Sequence, residues 1–364
     1  MAETTVHPLA LFLSSEGEIT PIPAPFPSAS SLPPFPETHV PVRVTYSAVN
    51  PADKKHFTLG FHSSISGYDF TGFNLVTNMP VFGLTWPGPN RPLYAGAHQP
   101  YLLARSDLIW TRPENLQEEA AAGLPVALLT AADAFVNILG FGFPNAGIEE
   151  LPNGLQSKGK ATLIWGGASA VGWAAIQVAR EIGVEFIFAV ASTKNHELLK
   201  GVGATHVFDY GHPEITVKDI KETVQRLGVE LTAVFDAVGV GLQDFGGTYE
   251  GTSCYWSRQC LSDDVQNGTR PALACALPVP KDWDPDWEFA IFSRKWGTLE
   301  EETPNWRWHR QDKVMKWFLE NHVTAWKPLP TRVVQTKEDV VAAINLSAQG
   351  KISCEKVVIR HPIL

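Results

Sequence analysis

Positive charge is in short supply. Lysine and arginine number 29 against 38 acidic residues, a formal net charge of -9 over 364 residues. A nucleic-acid binder would carry a basic stripe, so no nucleic-acid partner is expected. Cysteine is also scarce: Cys254, Cys260, Cys275 and Cys354 all fall in the last third of the chain. Their spacing suits neither a zinc cluster nor a disulfide ladder, and reads as reduced thiols with no metal site. No segment reaches the roughly 20 apolar residues of a membrane span. The start, MAETTVHPLALFLSS, lacks the basic n-region of a secretory signal. A cytoplasmic protein is the expectation.

What is present is ordinary globular composition, 44% hydrophobic and 18% charged. The length suits two domains, each able to bury a core. Twelve Trp and 19 Phe are many for this length. They can line an apolar cavity or simply fill a core.

Residues 1–40, rich in Pro and Ser, read as an irregular, partly extended arm rather than a helix, because Pro removes amide donors and clashes with helical turns. VPVRVTYSAV alternates like a half-buried strand, and short strand-like pieces continue to about residue 112. EEAAAGLPVALLTAADAFVNILGFG then reads as two helical stretches hinged at Gly123-Leu124-Pro125. From Ala161 the pattern becomes strand (ATLIW), glycine turn (GGASAVG), helix (WAAIQVAREIG), strand (EFIFAVA), helix (HELLKGVGA), strand (HVFDY), helix (TVKDIKETVQRLG) and strand (TAVFDAVG). PALACAL is a candidate fifth strand. Such alternation calls for a parallel α/β sheet with right-handed crossovers.

A glycine turn between strand and helix lets backbone amides approach a pyrophosphate at the positive helix end. Gly166, Gly167 and Gly172 form a variant of the dinucleotide fingerprint. Three glycines alone are a weak signal; their place inside a repeated βα pattern makes it specific. The end of the second strand selects the cofactor. An NAD site puts a carboxylate there for the ribose hydroxyl. Here stand Ser192, Thr193, Lys194 and Asn195, and a cation with hydroxyls suits the extra phosphate of NADP(H). Tyr210 can close the same pocket. Thr193 and Asn195 also fit plain helix capping.

Several motifs in one order now carry a resemblance: VNPADKK (49–55), GYDFTG (67–72), GLPVALLTA (123–131), GGASAVG, VFDY, FDAVG (235–239) and GKISCEKVVIR near the end. Together they resemble the zinc-free medium-chain dehydrogenase/reductase family, most closely its fungal trans-acting enoyl reductases of polyketide biosynthesis. The Gly-His-Glu motif and four-cysteine lobe of zinc-dependent members are absent. The resemblance implies a Rossmann-type doubly wound parallel sheet plus a split, β-rich, GroES-like catalytic domain. The corresponding boundaries are 1–127 for the first catalytic part, 128–278 for the NADP-binding domain and 279–364 for the return.

The same resemblance implies roles. Ala52, Asp53, Lys54 and Lys55 would lie beside the nicotinamide half of the cofactor, and Thr130 would bond its carboxamide or the backbone near it. Ala168, Ser169, Ala170 and Val171 would cradle the pyrophosphate, with Val238 of FDAVG beside them. Cys275 and Ala276 would back the nicotinamide; Lys351 and Ile352 would close the site. Ala131, Phe135 and Ile138, with Trp287, Glu288, Phe289, Ala290 and Ile291, would face an apolar acyl chain. The partner implied is a polyketide acyl substrate, free or on a synthase's carrier protein, and a monomer rather than a homodimer.

Hydride delivery to the β-carbon of an enoyl thioester leaves charge on the carbonyl oxygen and a proton to be placed on the α-carbon. Lys55 is the candidate acid, with Asp69 as a partner that orients it. Water as proton source and Asp69 as a structural turn carboxylate stand beside that reading. His56 and His62 read as surface histidines. Two departures from the family pattern stand out. The sequence after GYDFTG runs FNLVTNMPVFGLTWPGP, short of a typical hairpin, and Cys354 replaces a glycine. They keep open a non-redox member that binds a polyketide and templates cyclisation or isomerisation, and a quinone or small-enone reductase is a third reading.

Overall fold

A computed structural model describes residues 8–152, 154–242, 247–262, 271–293 and 306–364. The chain divides into two units, residues 1–126 with 328–364, and residues 127–327. Among the described residues no helix is long and apolar enough to cross a membrane.

The first unit is built on a mostly antiparallel sheet. Its central strand, His39–Ala48, pairs with Asp69–Asn74, with Tyr101–Arg105 and, at its far end, with Lys356–Arg360. Pro80–Leu84 and Ile109–Thr111 extend one side; Thr331–Val334 runs parallel to Lys356–Arg360 on the other. The end of the chain therefore completes a sheet begun near residue 40. Helix Lys337–Ala348 seals it with Val340, Ala343 and Ile344 against Leu11, Val357 and Ile359.

The extended part of the N-terminal arm is paired into a sheet. Leu9–Leu13 pairs antiparallel with Ile19–Pro23 and with Ser64–Ile65. Ile19–Pro23 is the edge strand of this sheet, where the prolines Pro21 and Pro23 lack amides without costing a ladder bond. Burial of Ala10, Leu11 and Leu13 outweighs the local turn chemistry.

The second unit holds six parallel strands in the order His206–Phe208, Phe186–Val190, Lys160–Trp165, Glu230–Asp236, Ala272–Cys275 and Trp287–Phe289. In order of appearance this is 3-2-1-4-5-6, the Rossmann arrangement. Near-continuous apolar strands are what a sheet covered on both faces requires, and Leu163, Phe188, Val234, Leu273 and Trp287 meet in one core.

One boundary of the expected division falls elsewhere in this unit. The sixth strand, Trp287–Phe289, and helix Trp306–Ala325 belong to it, so it ends at Lys327 rather than at 278. Trp287 Nε1 donates to Tyr249 Oη at 2.9 Å, and Tyr249 Oη to Asp284 at 2.7 Å, which holds the last strand in place. The hinge at Gly123–Pro125 stands: helix Glu118–Ala122 ends there and Pro125–Ala132 begins, running on into a π-helical turn, Asp133–Ile138.

Candidate functional site

The nucleotide end of the second unit follows from its glycines. Gly166 sits at φ +83°, which L side chains avoid, and a Cβ there would come within 2.6 Å of Val238. At Gly172 a Cβ would lie 2.3 Å from the Gly166 carbonyl oxygen, so the helix can pack on the turn only without a side chain. Ser169 caps helix Ala170–Ile182, its Oγ accepting from Gly172 N at 2.9 Å. The amides of Ala170 and Val171, first in the helix, have no carbonyl one turn back to donate to. Ser169, Ala170 and Val171 are only half-buried, while Gly167 and Ala168 are buried.

At the end of the second strand the chain turns through Ser192, Thr193 and Lys194. Asn195 is buried and donates to Ser192 Oγ at 3.1 Å, shaping the turn; Lys194 and Tyr210 are exposed. Thr193 Oγ1 donates to Asp209 Oδ2 at 3.0 Å. This brings a carboxylate to the same rim, a residue that sequence reasoning passed over although it precedes Tyr210 in VFDY. Asp209 opposes a phosphate there and favours a ribose hydroxyl; Lys194 acts in the other direction.

Several residues expected to face an acyl chain lie in the core. Ala131 and Phe135 are fully buried, Phe135 stacked on Phe141 at 5.8 Å and edge-on to Phe235 at 6.3 Å. Trp287 and Ala290 are buried as well, whereas Ile138, Phe289 and Ile291 are half-buried and Glu288 is exposed. The π-helical turn is pinned by Asp133, which accepts from Ile291 N at 2.9 Å, from Asn137 at 2.7 Å and from Arg307. Thr130 is buried one turn earlier. Cys275 is buried at the end of the fifth strand, where Ala276 N donates to the Asp236 carbonyl at 2.8 Å.

In the first unit Asp69 is a hydrogen-bonding hub. Its Oδ1 accepts Val126 N at 2.8 Å; its Oδ2 accepts Asn50 Nδ2 at 2.9 Å and Lys356 Nζ at 3.4 Å, and Lys356 also reaches Asn50 Oδ1 at 2.7 Å. Burial pushes the Asp69 carboxyl up to about 6, opposed by Lys356 and the two hydrogen bonds. The turn carboxylate reading fits this geometry.

Asp53 and Lys54 are likewise engaged within the first unit. Asp53 Oδ2 accepts Asn50 N at 2.7 Å and pairs with His98 Nε2 at 3.1 Å; Lys54 Nζ donates to Asn345 at 2.9 Å. Ala52 and Lys55 are half-buried on the same short helix, Ala52–Lys55. Lys351 is exposed, and Ile352 packs on the helix that Lys337–Ala348 forms. His56 is not on the surface: it is 5% exposed, 2.7 Å from Tyr68 Oη, and burial holds its imidazole down at about 4.

Ser47, His98 and Asp53 line up as hydroxyl, imidazole and carboxylate at 2.8 and 3.1 Å. Those spacings match a nucleophilic triad. All three are buried, however, and Ser47 Oγ also meets His361 Nε2 at 2.8 Å. A hydroxyl closed off in the core attacks no substrate, so this relay is structural.

The trans-enoyl reductase tazE of Aspergillus terreus is 32% identical over 220 residues, which span 56% of this chain and 69% of that protein. The chain belongs to the medium-chain dehydrogenase/reductase family. A family model described as "Zinc-binding dehydrogenase" matches residues 170–243 of this family member. Alignments to three further trans-enoyl reductases span only 52% to 66% of those proteins. Among solved structures, the CurK enoyl reductase superposes with a TM-score of 0.66 at 18% identity, over 97% of this dehydrogenase/reductase chain and 99% of that one. The quinone oxidoreductase of Thermus thermophilus, solved also with NADPH, gives 0.59 at 19% identity, over 97% and 99%.

Proposed function

We propose that this chain is an NADPH-dependent enoyl reductase, acting on an α,β-unsaturated polyketide thioester in trans to a polyketide synthase. The observation that carries the reading is the end of the second strand, where Ser192 and exposed Lys194 stand in place of a carboxylate, beside a capped glycine turn. The names of the relatives, trans-enoyl reductases, give the reaction class.

When bound, the reduced nicotinamide supplies the hydride that adds to the substrate's β-carbon. The chain's own part begins with binding. The Ala170 and Val171 amides and the helix start take the pyrophosphate, and Lys194, Ser192 and Tyr210 take the extra phosphate. Lys194 also offsets Asp209 on the same rim. Lys55, half-buried, is the proposed donor that returns a proton to the α-carbon. Asp69 and Asp53 hold the scaffold of that short helix rather than exchange protons.

Titration of the full chain with NADPH and NADH tests the cofactor step. Lys194→Glu is expected to weaken NADPH by roughly tenfold to a hundredfold, a charge-assisted bond's worth, and to leave NADH nearly unchanged. Equal, unaltered affinity for NADPH would end the assignment. Loss of NADPH absorbance with a panel of enoyl thioesters tests the reaction. Tight NADPH binding with no oxidation on any acyl length, synthase present or absent, would move the reading to a non-redox family member.

A further inference from the structure

We infer that Asp236, Cys254 and Cys275 form a binding site for a thiophilic divalent cation, zinc foremost. Asp236 and Cys275 are register partners at the ends of adjacent parallel strands, and Cys254 lies on helix Ser253–Gln259. All three side chains are fully buried. Cys254 Sγ lies 3.5 Å from Cys275 Sγ and 3.2 Å from Asp236 Oδ2, and the three donor atoms fall within 4.8 Å of one another. Three atoms so spaced admit a centre roughly 2.1–2.4 Å from each, the range of zinc–thiolate and zinc–carboxylate bonds.

The charges point the same way. Asp236 Oδ1 accepts Val238 N at 3.0 Å and Gly239 N at 2.9 Å, while Oδ2 accepts Ser253 Oγ and the Cys254 thiol. Every one of these partners is neutral. Leu277 N donates to Cys275 Sγ at 3.4 Å, again a neutral donor aimed at an atom that can carry negative charge. A buried carboxylate is ordinarily paired with a cation or bound to a metal. Here the described surroundings offer no cation and two thiols. A disulfide would account for the sulfurs alone and leave the carboxylate uncompensated.

Binding breaks two S–H bonds and forms two zinc–sulfur bonds and one zinc–oxygen bond. Two protons leave to solvent, so the site's charge sums to -1 with zinc in place. The fourth position falls to Ser253 Oγ or a water. The ion would tie the ends of strands Glu230–Asp236 and Ala272–Cys275 to the helix above them.

The full-length protein, reduced and stripped with chelator, is titrated with zinc chloride and with cadmium chloride. The expected result is one equivalent bound, two protons released per ion, a cadmium–thiolate absorption band and a raised melting temperature. Cys254→Ser and Cys275→Ser should abolish uptake, and Asp236→Asn should weaken it roughly tenfold or more. The double variant Cys260→Ala/Cys354→Ala keeps both proposed thiols and should bind as the parent does, which decides the matter even where the other variants fail to fold. No uptake by the reduced protein, whether titrated folded or refolded with zinc, would overturn the site. So would loss of uptake in the double variant, or its persistence when Cys254 and Cys275 are both replaced.

Discussion

The two units place their polar groups differently. In the first, Asp69 is compensated by Lys356 and Asn50, which ties a turn, the Val126 amide and the C-terminal strand into one knot. In the second, the strands are almost wholly apolar, and polar groups gather where the strands end: Ser192, Lys194 and Asp209 at the rim, Asp236 with two thiols below the surface. Asp133, held by Arg307, Asn137 and the Ile291 amide, serves shape in the second unit as Asp69 does in the first, while the rim groups stay at the strand ends. The Asp69 knot spans residues 50 to 356, whereas the rim is drawn from two short stretches near residues 192 and 209.

Breaking the knot should be the most damaging change. Lys356→Met leaves the Asp69 carboxyl buried without its cation, and about 3–5 kcal/mol of unfolding free energy is expected to go, read by urea denaturation. If the loss is under about 1 kcal/mol, the compensation argument for the first unit fails. Next comes Gly172→Ala, whose Cβ would meet the Gly166 carbonyl oxygen at 2.3 Å. A backbone atom cannot swing aside, so about 3 kcal/mol of stability and most cofactor affinity should be lost together.

Acidity sharpens the contrast. His56 is held down at about 4 by burial, below its ordinary 6.5. Its neutral form is favoured on folding, so its contribution is complete above pH 6.5 and lost as pH falls toward 4, on the order of 3 kcal/mol in all. Asp69, raised to about 6, has the opposite sign: its contribution is complete below pH 3.8 and lost as pH rises through 6. His361, held down at about 3 by burial, contributes to the same acid-labile limb of a stability–pH profile, so His56→Gln should shrink that limb rather than remove it; an unchanged limb would show that His56 does not contribute. The smallest effect is expected at Cys354, which holds φ +49°. Cys354→Gly relieves a left-handed backbone and should stabilise by less than about 1 kcal/mol in thermal denaturation.

Much of the second unit was legible because its signals are local. A strand, a glycine turn and a helix follow one another directly in the chain, and the replacement of a carboxylate by Ser192 and Lys194 sits at a position the pattern defines. Trp287–Phe289 does not read as a strand in the sequence, since three residues have no period of their own; it is a strand only because Ala272–Cys275 offers it an edge. Phe135 likewise reads as an apolar residue near a predicted pocket, and only its packing against Phe141 and Phe235 makes it core.

The chain's order of residues settled, unaided, the alternating βα architecture and the glycine turn between its first strand and helix, because each depends on neighbours within one turn or strand. Tertiary structure alone decided that Asp69 bonds Lys356, Asn50 and the Val126 amide, that His56 is interior, and that two cysteines 21 positions apart converge with Asp236. Those outcomes depend on distances between strands and helices, which hydrophobic burial sets and which linear spacing does not encode.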